Sequence, residues 1–308
     1  MSTLPALPDL AEDDAEIAAV LAGLPPVDAA DLDDRAGTLA KGDLVVPRVA
    51  ALDLALRLTD LTTLEGTDTP ESVAELAATA RRPDPEDPGV PAVAALCVYS
   101  DLVAPAVEAL DDSDVLVAAV AGAFPSGRAP LAIRMADVAA AVDAGADEVD
   151  VVLDRGAFLA GRYGDVLGQL RGLREAAGDT RLKVILETAE LGSPTDVRDA
   201  AWLAMTAGAN LVKTSTGKLR EGATLANALL LLESAKAFGR AGGQPVGVKV
   251  SGGIRTAEAA LAYLTLVAGS VGLEWLTRER FRFGASSLVD DLVSTRRALA
   301  EQGAGRVA

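Results

Sequence analysis

The 308-residue chain contains no histidine and a single cysteine, Cys97. Without histidine, Ser–His and Cys–His nucleophile pairs are excluded, and so is the usual imidazole-ligated zinc. One cysteine permits no intrachain disulfide and no thiolate cluster for a metal. Its setting, the apolar run AVAALCVYS, predicts a buried core thiol. Any general acid, base or nucleophile must therefore come from Lys, Asp, Glu, Tyr or Ser. Positive charge is also scarce: 28 Lys and Arg stand against 45 Asp and Glu, a net charge of -17. So acidic a surface disfavours nucleic acid and anionic membranes as partners. It also repels phosphorylated molecules, so a phosphate site here would have to be locally positive. No run approaches the roughly 20 apolar residues of a membrane span. The start, MSTLPALPDLAEDD, lacks the basic and apolar regions of a signal peptide. The expectation is a cytoplasmic protein.

What the chain has is an apolar half, 50% of its residues, rich in Ala, Leu and Val. Residues 1–46 are acidic and carry short helical patterns around 9–23 and 28–40, which predicts a helical N-terminal extension. A helical period resumes at 48–58, and from residue 59 short apolar runs alternate with amphipathic stretches. The runs are TDLTTL, AVAALCVYS, DVLVAAVAGAF, DEVDVVLD, LKVILET, NLVKTST, PVGVKVSGG and FRFGASS. Stretches such as PESVAELAATA and SPTDVRDAAWLAMTAGA lie between them, several opening on a capping residue and closing on Gly. Strand then helix, eight times over about 240 residues, predicts a (β/α)8 TIM barrel over residues 47–302. A doubly wound open sheet is the competing architecture, although it usually has fewer strands. Residues 303–308 read as a flexible tail, and the Pro-rich segment 81–91 as a solvated connector.

Barrel chemistry sits at the C-terminal ends of the strands. Those ends select Asp60, Asp150, Glu187, Lys213 and Lys249. Taken singly, each lysine reads equally well as half of a structural ion pair. Together they sit on consecutive strands, which run about 4.8 Å apart. Two ammonium groups about 5 Å apart repel by on the order of 3 kcal/mol at an effective dielectric near 20. That is about a hundredfold shift toward the free amine for one of them, and a free amine is what attack on a carbonyl requires. Asp150 supplies a carboxylate able to pass protons through a water. Strand alternation puts Glu148 on the same face and leaves Asp147 at the strand entrance. The loops TSTGK, SGGIR and GASS, after the sixth, seventh and eighth strands, offer Gly and small hydroxyl residues to an anion. Thr216, Gly217, Gly252, Gly253, Gly284, Ser286 and Ser287 fall in these loops, and Lys218 and Arg255 add fixed charge.

The motifs LTDLTTLEGTDT, ADEVDVV, LVKTSTGK, VGVKVSGGIR and FRFGASSL follow in that order. They resemble the deoxyribose-phosphate aldolase family from about residue 48 to 295. The resemblance implies reversible cleavage of 2-deoxy-D-ribose 5-phosphate to D-glyceraldehyde 3-phosphate and acetaldehyde, without cofactor or metal. It implies Lys213 as the Schiff-base lysine, Lys249 as the neighbour that lowers its pKa, and Asp150 as the water-mediated proton shuttle. It implies that Gly217, Lys218, Gly252, Gly253, Ser286 and Ser287 hold the phosphate. Asp60 would join a substrate-side polar network, with Cys97 near the wall of the site. The end, EQGAGRVA, departs from members with a terminal tyrosine in the active site. Another Schiff-base lyase acting on a different sugar phosphate, or a non-catalytic sugar-phosphate-binding barrel, are the alternatives. The partners implied are small sugar phosphates and aldehydes, and both a monomer and a homodimer stay open.

Overall fold

A computed structural model describes residues 13–304. Positions 9–12 of the first expected helix and residues beyond 304 lie outside the described residues. Three helices come first: α1 (Asp14–Ala22), α2 (Ala29–Ala40) and α3 (Arg48–Arg57). The strands are β1 (Thr59–Thr62), β2 (Ala95–Tyr99), β3 (Leu116–Val120), β4 (Glu148–Val152), β5 (Arg181–Ile185), β6 (Leu211–Lys213), β7 (Gly247–Ser251) and β8 (Phe281–Ala285). After β1 and β2 come α4 (Pro70–Arg81) and α5 (Val103–Ala109), and after β3 comes α6 (Leu131–Asp143). The short α7 (Arg155–Leu159) and α8 (Tyr163–Ala177) follow β4. Then α9 (Pro194–Thr206), α10 (Leu225–Arg240), α11 (Ala257–Ser270) and α12 (Leu288–Ala304) follow β5 to β8 in turn.

All eight strands pair in sequence order, and β1 closes on β8 with Thr59 opposite Phe283. The open-sheet alternative is thereby removed. Val and Leu positions of alternate register fill the space between strands and helices, as strands buried on both faces require. Helix starts are fixed locally. The Ser193 hydroxyl accepts from Asp196 N–H, with Pro194 at the first helical position, and Thr224 and Thr256 cap α10 and α11 in the same way. Gly145 and Gly208, at φ +102° and +94°, turn the chain out of α6 and α9 toward β4 and β6. Among the described residues, no helix is long and apolar enough to cross a membrane.

Two segments are bound more closely to the barrel than their sequences suggest. Helices α1 and α2 lie against α8, α10 and α11, and bury Ile17, Leu21, Leu32 and Ala36 in the same core as the barrel helices. The Asp14 carboxylate accepts from Gly164 N–H at 2.7 Å, joining α1 to the start of α8. The segment 81–91 is not a freely solvated connector, because its carboxylates are held by α12. Asp84 is buried and takes a hydrogen bond from Arg297 Nε at 2.6 Å, while Arg296 bridges Asp53 and Asp87. Its four prolines and two Asp turns hide this from a composition-based reading.

Leu32 tests whether the extension carries stability. Leu32→Ala is expected to lower the unfolding free energy by about 3 kcal/mol, through lost burial and the cavity left against α10 and α11. Chemical denaturation of the full chain measures it, and a change under about 0.5 kcal/mol would mean that α2 is an ornament on the barrel.

Candidate active site

The barrel lumen, normally filled by branched apolar side chains, is charged here. Asp60, Glu148, Asp150, Lys183, Lys213, Lys249 and Arg282 point into it, and each is at most 2% exposed. Asp150 is at the centre. Its Oδ1 accepts from Lys183 at 2.7 Å, and its Oδ2 accepts from Lys213 at 2.7 Å and Lys249 at 3.0 Å. Lys249 also meets Asp60 Oδ2 at 2.5 Å, and Lys183 meets Glu148 Oε2 at 2.7 Å. Both are charge contacts without hydrogen-bond alignment. Arg282 joins Asp60 Oδ1 to Glu148 Oε1 from below.

Asp150 and Lys249 are mid-strand residues, each third of five, so their expected place at the strand ends is corrected. Only Lys213 ends its strand, and it faces the open cavity. Lys213 and Lys249 are register partners, so the adjacency inferred from consecutive strands holds. Glu148 shares the inward face with Asp150, and Asp147, at the strand entrance, accepts from Val117 N–H.

Above Lys213 the cavity is lined by the loops after β6, β7 and β8. Thr216, Gly217, Lys218, Gly252, Gly253, Arg255, Gly284, Ser286 and Ser287 all reach it. Gly252 and Gly253 take φ of +88° and +82°, and a Cβ on Gly252 would lie 2.8 Å from the Gly222 backbone. The loop after β7 can therefore only be this tight with glycine. A Cβ on Gly284 would lie 2.9 Å from Lys249 Cε, so this glycine also leaves room for the Lys249 stem. Thr216 lines the cavity, but its N–H and hydroxyl both donate to buried Glu187, and its Oγ1 accepts from Lys218 N–H. Glu187, at φ +55°, thus fixes the loop from beneath and does not face the cavity.

Asp60 and Cys97 are not cavity residues. Asp60 lies in the charged layer below, as counter-ion to Lys249 and Arg282. Cys97 is fully buried among Leu64, Ala95, Ala118 and Val120, and burial pushes its thiol pKa up, which leaves it a poor nucleophile.

Residues 51–289 match the family model for the DeoC/LacD family aldolases. The deoxyribose-phosphate aldolases of Mus musculus and Homo sapiens are 41% and 40% identical over 249 residues, which is 77% of this chain and 78% of each of those proteins. The chain belongs to the DeoC/LacD aldolase family. Among solved structures, the tetrameric deoxyribose phosphate aldolase of Aeropyrum pernix superposes with a TM-score of 0.62 at 26% identity, covering 88% of this chain and 99% of that one.

For an aldolase, the decisive quantity is the proton count in the lumen. Four cationic side chains face three carboxylates, so one cation lacks an anion of its own. Lys183 touches three carboxylates and Lys249 two, whereas Lys213 touches only Asp150. The Lys213 pKa is accordingly lowered: burial is the largest cause, Asp150 opposes it, and Lys249 adds to it. Burial therefore outweighs the lysine–lysine repulsion on which the adjacency argument relied. Lys249 goes the other way, since Asp150 and Asp60 raise its pKa by more than burial lowers it. Lys183 is raised in the same manner, and its charge is the first to hold the Asp150 carboxylate well below its usual range against burial.

Reading strand ends alone passed over Lys183 and Arg282 and set Glu148 aside. The signal was present in LKVILET and FRFGASS, where a charged residue sits between buried apolar neighbours. A mid-strand charge in a barrel must point inward and must be paired. Thr62, Glu65 and Ser251 at the cavity wall were also missed; Thr62 and Ser251 sit two residues above Asp60 and Lys249 on the same faces.

Removing the Lys249 charge should return a proton to Lys213, because three carboxylates would then face three cations. Lys249→Leu is expected to cut kcat at least about a hundredfold, in line with loss of a group tuning the nucleophile, and to move the pH at which activity rises upward. Raising the pH should recover part of the loss. A pH–kcat/KM profile measures this, and an unmoved profile would assign Lys249 to positioning.

Proposed function

We propose that this aldolase cleaves 2-deoxy-D-ribose 5-phosphate reversibly to D-glyceraldehyde 3-phosphate and acetaldehyde, through a Schiff base on Lys213. The observation that carries the reading is the placement of Lys213, an amine with lowered pKa at the floor of a cavity rimmed by three glycine- and hydroxyl-rich loops. The names of the mouse and human relatives support the choice of substrate.

In this reading the free Lys213 amine attacks C1 of the open-chain sugar, and the carbinolamine loses water to a protonated imine. The C3 hydroxyl gives up its proton and the C2–C3 bond breaks. Its electrons flow into the imine, releasing glyceraldehyde 3-phosphate and leaving a two-carbon enamine. Protonation of that enamine at carbon and hydrolysis of the imine return acetaldehyde and the amine. Lys249, kept charged by two carboxylates, is the proton source, with Asp150 and a water completing the relay. Asp150, which accepts from the Nζ groups of Lys183, Lys213 and Lys249, acts chiefly as the anion that organises them.

The phosphate lies at the far end of the cavity. Gly217, Gly252 and Gly253, the first turn of α12 after Ser286 and Ser287, and the charges of Lys218 and Arg255 hold it. The partners are small sugar phosphates and aldehydes, and the net charge of -17 supports the exclusion of nucleic acid and of anionic membranes. The acidic composition with one cysteine supports a cytoplasmic setting.

Aldehyde release from deoxyribose 5-phosphate tests the activity. Borohydride with acetaldehyde should leave a two-carbon adduct on Lys213, located by peptide mapping. An adduct on Lys249 or Lys218 would reverse the assignment, and none at all would remove the Schiff base. Ser287→Glu should raise KM for the phosphorylated sugar by about tenfold or more, or 1.4 kcal/mol. Its effect on unphosphorylated deoxyribose should be much smaller. Equal effects on both sugars would move the phosphate elsewhere.

A further inference from the structure

Among the described residues that line the cavity, one carboxylate stands beside the proposed phosphate cradle: Glu65. It belongs to the loop after β1, beside the loop after β8 and across the mouth from Lys218 in the loop after β6. Lys218 Nζ donates to Glu65 Oε1 at 3.1 Å, so the ammonium assigned to the phosphate is engaged across the mouth. Glu65 is held in place. Its N–H donates to Asp68 Oδ2 at 2.9 Å, its carbonyl accepts from Asp68 N–H at 3.1 Å, and the Thr63 hydroxyl donates to the same Asp68 carboxylate. Lys218 is anchored from the other side, where its N–H donates to Thr216 Oγ1 and Thr216 in turn donates to Glu187. Both ends of the bridge therefore spring from loops fixed by buried or bidentate carboxylates.

Resting on the phosphate-sugar reading above, we propose that Glu65 is a specificity-determining counter-ion: it occupies Lys218 in the empty enzyme and weakens phosphate binding until displaced. An incoming phosphate dianion has two ways to reach Lys218. It can replace Glu65, which loses the ion pair. It can also share the ammonium's three protons with Glu65, which leaves a dianion one ammonium width from a carboxylate. Either way phosphate affinity is lower than the cradle alone would give. The site thereby demands the full charge of a phosphate ester, because a neutral or weakly charged group cannot displace a carboxylate, and it lets the phosphorylated product leave. Side-chain exposure of 30% for Lys218 and 70% for Glu65 keeps the effect modest.

The test uses the full chain and its Glu65→Gln, Lys218→Met and double variants. Titration calorimetry with inorganic phosphate is read beside KM for deoxyribose 5-phosphate and for deoxyribose. Glu65→Gln should tighten phosphate binding and lower KM for the phosphorylated sugar about two- to fivefold, the range of an exposed ion pair. The change with deoxyribose should be smaller. The same substitution in the Lys218→Met background should give little tightening. Unchanged or weaker phosphate affinity in Glu65→Gln would overturn the proposal. Equal tightening with and without Lys218 would also overturn it, since Glu65 would then act on the phosphate directly. Turnover of deoxyribose 5-phosphate by the unaltered enzyme reports on the substrate reading separately from these binding measurements.

Discussion

Four cationic side chains and three carboxylates are buried together in the lumen, and the rest of the site follows from that inequality. Each isolated buried charge would cost several kcal/mol, so the carboxylates must be ionised to hold the cations. Three pairs can then form, and the fourth amine has only a share of Asp150. Proton loss is cheapest at Lys213, the cation with fewest anionic contacts and the one at the cavity floor. The amine needed for imine formation is thus a consequence of charge balance as much as of the neighbouring ammonium.

The barrel makes such an arrangement tolerable. A closed sheet leaves no edge, and each strand offers alternate residues to the lumen, so seven charged side chains from β1, β4, β5, β6, β7 and β8 meet at fixed heights. Gly284 opposite the Lys249 stem shows how little slack remains, as even a methyl group there would meet Ser251 Cβ at 2.8 Å. Hydrogen bonds from neighbouring loops do the same work at the rim. Glu187 holds Thr216, and Thr216 holds Lys218 N–H, so the loop that follows Lys213 has a fixed course.

The proposed phosphate cradle faces a different constraint, set by the acidic surface. Its attraction is local and depends on Lys218, Arg255 and the N–H groups of tight glycine turns. Glu65, from the loop after β1, is paired with Lys218 and by the proposal above moderates that attraction. Strong binding of a dianion would slow release of a phosphorylated product, so a moderated cradle suits turnover better than a maximal one.

The (β/α)8 order was legible because strand-length apolar runs and capped amphipathic stretches alternate along the chain, and each signal is local. The cavity residues Lys213, Thr216, Gly217, Lys218, Gly252, Gly253, Gly284, Ser286 and Ser287 were legible because loops after strands converge in a barrel whatever the details. Less was legible below the rim. Lys183 and Arg282 looked like ordinary charged residues in apolar runs, and Asp60 was assigned to the substrate side when it lies beneath it. The extension's role was hidden too, since Ile17 and Leu32 become core only where α8, α10 and α11 offer a face. By itself, then, the sequence determined the succession of elements, the absence of imidazole chemistry and of an intrachain disulfide, and two lysines on neighbouring strands. Only the tertiary structure decided how many carboxylates each lysine Nζ touches, because those contacts join residues from five strands, β1, β4, β5, β6 and β7.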